Sequence, residues 1–190
     1  MDITIKSKTG KALYVATGVA SAKAAVEDAA AKGIDLTGAE LAGVDFDDAK
    51  LVGAKLAGAN LKGARLVRTD LTAADLTGAD LTKTFARQCN MAGAKLAGAD
   101  LSYSYLPQTS FYRADLLGAK CTNTHFGWAN FKEARCARVD FTGSGFFDPN
   151  MSTPLRKGMA RGWDAIWTGT DVAGAIFKNC RGNNLPGPTA

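Results

Sequence analysis

The residues that could carry nucleophilic or metal chemistry are few in this sequence and lie far apart. The only histidine is His125, and the four cysteines are Cys89, Cys121, Cys136 and Cys180. No cysteine pair has the C-x-x-C spacing that commonly brings zinc ligands together. No serine, cysteine or carboxylate in the sequence is a predictable partner for His125. We therefore predict no catalytic residues, no metal site and no cofactor.

Phosphate-binding motifs are also missing. Neither G-x-x-x-x-G-K-[ST] nor G-x-G-x-x-G occurs, although glycine is abundant. The aspartates recur at regular positions instead of converging as an acid–base pair. The sequence therefore predicts that the chain is not an enzyme.

Large apolar residues recur every five residues from 36 to 146, without an insertion. Of these 23 centres, 13 are Leu and six are Phe, and 13 of the residues two positions earlier are Ala. A period of five matches neither the α-helix nor the β-strand. It suits a chain that turns a corner every five residues and sends one small and one large side chain inward per side. Four sides would form a coil of 20 residues, with coils stacked about 4.8 Å apart.

The repeated tripeptides resemble those of the pentapeptide repeat family, as in Ala59-Asn60-Leu61, Ala79-Asp80-Leu81 and Ala99-Asp100-Leu101. This resemblance implies an all-β solenoid, a right-handed quadrilateral parallel β-helix. It covers residues 34–146, which hold about 23 repeats in nearly six coils.

Residues 1–33 precede the repeats and have a different pattern. Residues 3–8 and 11–17 are typical of two strands around a Thr9-Gly10 turn, and Ser21 is a candidate N-cap for a helix over 22–32 that Gly33 closes. Since a solenoid exposes apolar groups at its ends, we interpret this hairpin and helix as an N-terminal cap. The alternative is a separate binding module.

Residues 147–190 lose the phase of the repeat. We predict a short helix over 154–161, a partial extra coil around Val172 and 175–177 that is shifted by one residue, and a loose tail from 183. Our interpretation is a C-terminal cap. The family resemblance implies an alternative, a homodimer contact between two rods, through Met151, Leu155, Met159, Trp163 and Trp167.

Charge and hydropathy exclude two classes of partner. The net charge is +5, but residues 34–146 carry only +1, with 13 basic and 12 acidic residues. Such a small surplus is not a nucleic-acid footprint by itself. The first residues lack the apolar core of a signal peptide, and no apolar run of 18 residues exists to span a membrane. We expect a cytoplasmic protein without membrane contact.

Residues 20 apart should stack on one face of the solenoid, so each face can be described from the sequence. Face one comprises the outward residues Asp35, Lys55, Asp75, Lys95, Asp115 and Arg135, which alternate in sign. Its corner glycines, which we call corner one, are Gly38, Gly58, Gly78, Gly98 and Gly118, and they suit turns that need positive φ. We predict a structural role for face one.

Face three comprises Asp45, Arg65, Phe85, Tyr105 and His125, and its corner adds Arg68, Arg87, Gln88, Gln108 and Trp128 without a glycine. Arginine and aromatic residues of this kind form hot spots in protein interfaces and also contact nucleic acids. The alternative is that these bulky side chains only stack on one another and protect that side. We predict that face three binds a partner.

The sequence thus favours a non-catalytic scaffold that binds an unidentified protein through face three and modulates it. The family resemblance implies an alternative, a DNA mimic that binds a type II topoisomerase such as gyrase through negative charge. The near-neutral repeats and the absence of insert loops argue against it. A second alternative is direct nucleic-acid binding through Arg65, Arg68, Arg87 and Trp128, which should depend on salt.

Overall fold

The solenoid is the dominant element of the fold. The computed structural model describes residues 1–146, 170–176, 178 and 180. Outward residues pair in parallel with the residues 20 positions further on, from Asp35 with Lys55 to His125 with Gly145. The coil of 20 residues predicted from the sequence is therefore present, and residues 20 apart do lie on the same face.

Most corners of the described coils are hydrogen-bonded turns. At one of them the amide of Ala79 donates to the carbonyl of Leu76 over 3.0 Å, and Gly78 between them has φ of 63°. A positive φ at this position is the mark of a type II turn, which glycine adopts without a steric penalty.

The core of the solenoid is built from the two inward positions of every repeat. The large centres and the alanines two positions earlier are buried throughout the repeats. Three of the threonines that replace the alanine donate to a carbonyl of the preceding coil, namely Thr69 to Phe46, Thr109 to Ala86 and Thr124 to Leu101, each over 2.8 Å. Thr84 donates to Leu81 of its own coil over 3.0 Å. Buried hydroxyls therefore keep hydrogen-bond partners. Towards the C-terminal end the core changes from leucine to packed phenylalanine rings, namely Phe111, Phe126, Phe131, Phe141 and Phe146.

A hairpin and a helix precede the first coil. Strand β1 spans Ile3–Lys6 and pairs antiparallel with β2, Ala12–Ala16. Helix α1 spans Ala22–Ala31, and the Ser21 side chain accepts a hydrogen bond from the Ala24 amide over 3.1 Å. These are the elements that the sequence predicts, although both strands are shorter and the helix ends one residue earlier.

The hairpin and α1 pack on the first coil. The chain after β1 pairs with it, since Ser7 forms an antiparallel bridge with Ala39. On α1, Ala25, Val26 and Ala29 are fully buried, and Lys23 Nζ donates to the Asp47 carbonyl over 2.9 Å. None of the described helices is long and apolar enough to cross a membrane.

The solenoid resumes after an insertion. Arg135 pairs with Asp171 instead of a residue 20 positions on, and Asp140 pairs with Ile176. Val172 is buried as a repeat centre. The predicted partial coil is therefore present with its shift of one residue. Side-chain hydrogen bonds show the same stacking on the preceding coil, because the Thr170 hydroxyl donates to Phe131 O and the Cys180 thiol to Phe141 O.

The repeats of residues 34–146 contain no insertion, and the loss of phase expected after residue 146 is seen in the spacing of the next bridges. Arg135 and Asp171 are 36 residues apart, while all the earlier coils take 20. The helix predicted over 154–161 and the tail from 183 lie outside the described residues. So do the predicted dimer contacts Met151, Leu155, Met159, Trp163 and Trp167.

Candidate partner-binding face

Face three is a continuous stack of aromatic rings that ends in a guanidinium group. The rings of Phe85 and Tyr105 are 5.0 Å apart between centroids and 13° from parallel, and those of Tyr105 and His125 are 4.9 Å apart and 19° from parallel. Arg65 Cζ lies 5.6 Å from the Phe85 centroid. The coil repeat is close to the spacing that offset-stacked rings prefer, so the solenoid itself positions this stack.

The corner beside this stack has the same backbone as the others, but in five successive described coils its residue of positive φ is not glycine. We call its residues of positive φ corner three. They are Asp48, Arg68, Gln88, Gln108 and Trp128, with φ values of 62°, 55°, 58°, 60° and 59°. A residue with a Cβ in this left-handed region costs about 1–2 kcal/mol relative to glycine. In five successive coils, corner three therefore retains a side chain at the expense of stability.

Face three also lacks a stabilising contact that the other faces use. On those faces Asp or Asn side chains accept the amide two residues on, as Asp75 does from Thr77 at 3.1 Å and Asn130 from Lys132 at 2.9 Å. This Asx turn explains why aspartate is so frequent in the repeats. Within the described residues of face three only Asp45 makes it, to the Asp47 amide. Arg65, Phe85, Tyr105 and His125 cannot, for want of a carboxylate or amide at that place.

The arginines at the N-terminal end of face three are paired. Arg65 contacts Asp47 and, at 3.7 Å, Asp45. Arg68 forms two hydrogen bonds with the Asp48 carboxylate, both 2.6 Å long. The Arg68 guanidinium accordingly lowers the pKa of Asp48, and Asp48 raises that of Arg68. The positive charge of Arg65 and Arg68 is therefore balanced by aspartates in the first two coils of face three.

Asp47 and Asp48 are the residues that the sequence reasoning missed. The rule that residues 20 apart stack was applied to face three at its outward positions, where it gave Asp45 beneath Arg65. Applied at the corner, the same rule places Asp48 beneath Arg68 and Asp47 beneath Val67. The Asp47 carboxylate indeed accepts a hydrogen bond from the Val67 amide over 2.9 Å. The signal was thus present in the sequence.

Arg87, on the third coil, is in a different environment. Its Nε lies 3.5 Å from Gln108 Oε1. Among the residues that the structure describes, it forms no salt bridge. The residues one coil before and after it are Val67 and Pro107, which are both buried. Arg87 is therefore an exposed cation in apolar surroundings.

The remaining predicted residues are brought to the same side. Gln88 is exposed, while Gln108, Tyr105, His125 and Trp128 are half-buried. Phe85 is 38% exposed. The structure thus places all nine predicted residues on one strip of the surface, although it does not test their role in binding.

The other faces carry compensated charge. On face one, Lys95 lies 3.7 Å from Asp75 and Arg135 lies 3.0 Å from Asp115. In the described coils, only Asp80 and Asp100 are outward neighbours of like charge. No continuous acidic face arises from this arrangement, so a dominant negative surface is lacking in the described part of the solenoid.

The cysteines lie where the repeat places small and large apolar residues. Burial raises the pKa of Cys89, Cys121 and Cys136. A thiol held protonated is a poor nucleophile and a poor metal ligand. Within the described residues, no group of His, Cys, Asp and Glu could hold a metal ion.

The repeats have a known counterpart. The sequence model described as pentapeptide repeats matches residues 24–56, 49–88, 89–120 and 109–146, in eight copies. The chain belongs to the pentapeptide repeat family. Pentapeptide repeat proteins are known as non-enzymatic scaffolds, and their solved structures imply that the solenoid is a right-handed β-helix. The curated proteins include none that matches this chain in sequence.

Several solved pentapeptide repeat proteins are similar to the chain. HetL from the cyanobacterium Nostoc sp. strain PCC 7120, which is involved in the regulation of heterocyst differentiation, is 25% identical with a TM-score of 0.58. The match covers 77% of this chain but only 59% of HetL. A protein of the Arabidopsis thaliana thylakoid lumen is 27% identical, with a TM-score of 0.34 and coverage of 62% and 68%. QnrB1, a plasmid-mediated fluoroquinolone resistance protein, is 17% identical, with a TM-score of 0.47 and coverage of 76% and 79%.

Proposed function

We propose that this pentapeptide repeat protein is a non-catalytic scaffold that binds a protein partner in the cytoplasm through face three and corner three. The observation that carries the proposal is the row of five side chains at positive φ along corner three. Conformational strain that a fold could remove with glycine, as it does at corner one, is typical of functional sites.

The aromatic stack supports the same proposal. Phe85 is held between Arg65 and Tyr105, so its ring loses little conformational freedom when a partner covers it. Rigid aromatic residues and arginine dominate the energy of protein interfaces for this reason. The exposed amides of corner three would supply the polar contacts around them.

The charge distribution favours this function over the two alternatives. A DNA mimic needs a dominant negative face, while here acidic and basic residues alternate or pair. Nucleic-acid binding gains its energy when arginines neutralise phosphates and release counterions. Arg65 and Arg68 are already neutralised by aspartates, which removes two of the three arginines that such a site would use.

Photo-crosslinking in extracts of the native host tests the proposal. A photoreactive amino acid replaces Gln88 at corner three or, as the matched control, Ala97 beside corner one. We expect a protein adduct from position 88 and none from position 97. The change Arg68→Glu with Arg87→Glu breaks the Arg68–Asp48 pair and reverses the charge at Arg87. It should reduce that adduct by about tenfold or more, as expected when a hot-spot side chain is lost.

Two outcomes would contradict the assignment. Equal adducts from both positions would show that face three is not distinguished from face one. An adduct that survives the double substitution unchanged would place the contact elsewhere. A second double substitution on face one, Lys55→Glu with Lys95→Glu, changes the net charge equally and should leave the adduct intact.

A further inference from the structure

We propose that the partner presents an acidic segment, with an aspartate or glutamate beside an apolar side chain, and that Arg87 receives its carboxylate. This inference rests on the proposed function, because it names the class of partner for the same face.

Few of the described arginines remain available to a partner. The described residues include six arginines, of which four form salt bridges with carboxylates of neighbouring coils, namely Arg65, Arg68, Arg113 and Arg135. In that part of the chain, Arg87 and Arg138 form none. A guanidinium with a carboxylate already in place has little to offer a partner, so these two are the candidates.

Arg87 and Arg138 differ in the residues that surround them. Arg138 lies at a corner between Gly118 and Gly174, neither of which has a side chain to shield it from water. Arg87 lies between the buried side chains of Val67 and Pro107 and two residues after the exposed Phe85. An ion pair strengthens as water is excluded from it. A docked segment would bury Arg87 against apolar atoms but would leave Arg138 exposed to solvent.

The geometry of the Arg87 guanidinium suits a carboxylate. Gln108 Oε1 lies 3.5 Å from Arg87 Nε, which leaves the two terminal nitrogens of the guanidinium available for a carboxylate. Two parallel N–H···O bonds of this kind are the preferred arrangement between arginine and a carboxylate. Phe85, two residues earlier in the same coil, is 38% exposed between Arg65 and Tyr105 and offers the apolar edge of its ring. Cation and ring together match an acidic residue next to an apolar one.

Selection from a displayed random peptide library tests this inference on the full-length protein. We expect enriched peptides that contain Asp or Glu adjacent to an apolar residue. For a synthetic peptide of the enriched sequence, Arg87→Ala should raise the Kd about tenfold, the usual effect of losing one hot-spot side chain. Arg138→Ala is the matched control and should leave the Kd unchanged. Phe85→Ala should also weaken binding.

The outcomes separate this inference from the proposed function. Peptides that lose affinity with Phe85→Ala but lack acidic residues, or are indifferent to Arg87→Ala, would overturn the acidic class and leave face three as the site. Peptides that are indifferent to both changes would overturn the inference and count against the function of face three. A selection without enriched peptides would also contradict an accessible acidic-segment site.

Discussion

Corner one and corner three have the same backbone conformation but opposite residue types. At corner one, Gly38, Gly58, Gly78, Gly98 and Gly118 have φ values from 62° to 71°, and at corner three five residues with side chains have values from 55° to 62°. Because the coil forces one geometry on every corner, the difference between them reflects the residues alone. Corner one has the residue that suits the turn, whereas corner three keeps side chains that do not.

The faces beside these corners differ in the same sense. Face one alternates in charge along its length, and its aspartates also support the turns through Asx contacts. Face three replaces these aspartates by a stack of aromatic rings after its first residue. The comparison indicates that local stability was kept on one side of the rod and reduced on the other, where exposed arginine and aromatic side chains are gained.

The largest expected effect comes from a change in the core that both faces share. Phe126 is fully buried and packs against four other phenylalanine rings. Phe126→Ala should lower the free energy of unfolding by about 3–5 kcal/mol, since it leaves a cavity in a close-packed core. Chemical denaturation followed by circular dichroism measures this. A loss below about 1 kcal/mol would mean that the solenoid repacks easily, and the contrast between the corners could then not be attributed to a rigid coil.

A valine placed at both corners gives the next largest effect. Gly58→Val forces a β-branched residue to φ near 62° and should lower the free energy of unfolding by about 2 kcal/mol. Gln88→Val, at φ near 58°, should lower it by less than about 1 kcal/mol because the glutamine is already strained. Denaturation midpoints of the two variants, each compared with that of the unmodified protein, measure the two losses. Equal losses would show that corner three is not strained, and the argument from its backbone would fail.

The reverse substitution should separate stability from binding. Replacing both Gln88 and Gln108 by glycine relieves two positive-φ residues, which a more flexible unfolded chain partly offsets. We expect a net rise in the free energy of unfolding of about 1 kcal/mol together with weaker binding of the selected acidic peptide. Lower stability would mean that these glutamines contribute to the fold through their side chains. Full retention of peptide binding would remove them from the binding face.

Much of the solenoid could be predicted because a strict period leaves one way to place each residue. The 20-residue coil, the alternation along face one and the glycines of corner one all follow from counting. The shift of one residue at Val172 was also visible, since 175–177 repeats the pattern one position late. The N-cap Ser21 was recognisable because its hydroxyl and position fit the start of an alanine-rich helix.

Other features depend on contacts that the period does not encode. Strand β1 ends at Lys6 rather than at residue 8, since Ser7 belongs to the turn that its amide closes on Lys11 and also forms a bridge with Ala39 of the first coil. The ion pair of Arg65 with Asp47 is another such contact, because the period places Asp45 and not Asp47 beneath Arg65. That Arg87 forms no salt bridge among the described residues could not be predicted, because it depends on which carboxylates are already paired with other arginines.

Acid titration gives the smallest effect and distinguishes the two faces through one carboxylate each. The pKa of Asp48 at corner three is lowered, mainly by the hydrogen bonds from Arg68. The pKa of Asp75 on face one is also lowered, but mainly by its hydrogen bond with Thr77, and only in smaller part by Lys95. Since both pKa values are lower in the folded protein, both contributions to stability are present above the ordinary aspartate pKa and are lost as the pH falls through the folded value.

The matched substitutions should therefore behave differently. Arg68→Ala removes the main cause and should return the pKa of Asp48 towards its ordinary value, whereas Lys95→Ala should leave most of the lowering at Asp75. Carboxyl-carbon NMR shifts recorded between pH 2 and pH 6 follow each group directly. If Lys95→Ala shifts Asp75 as far as Arg68→Ala shifts Asp48, then face one depends on cross-coil ion pairs as much as corner three does. The turn contacts would in that case not be what distinguishes the two sides of the rod, and the case for face three would rest on its exposed aromatic and arginine side chains alone.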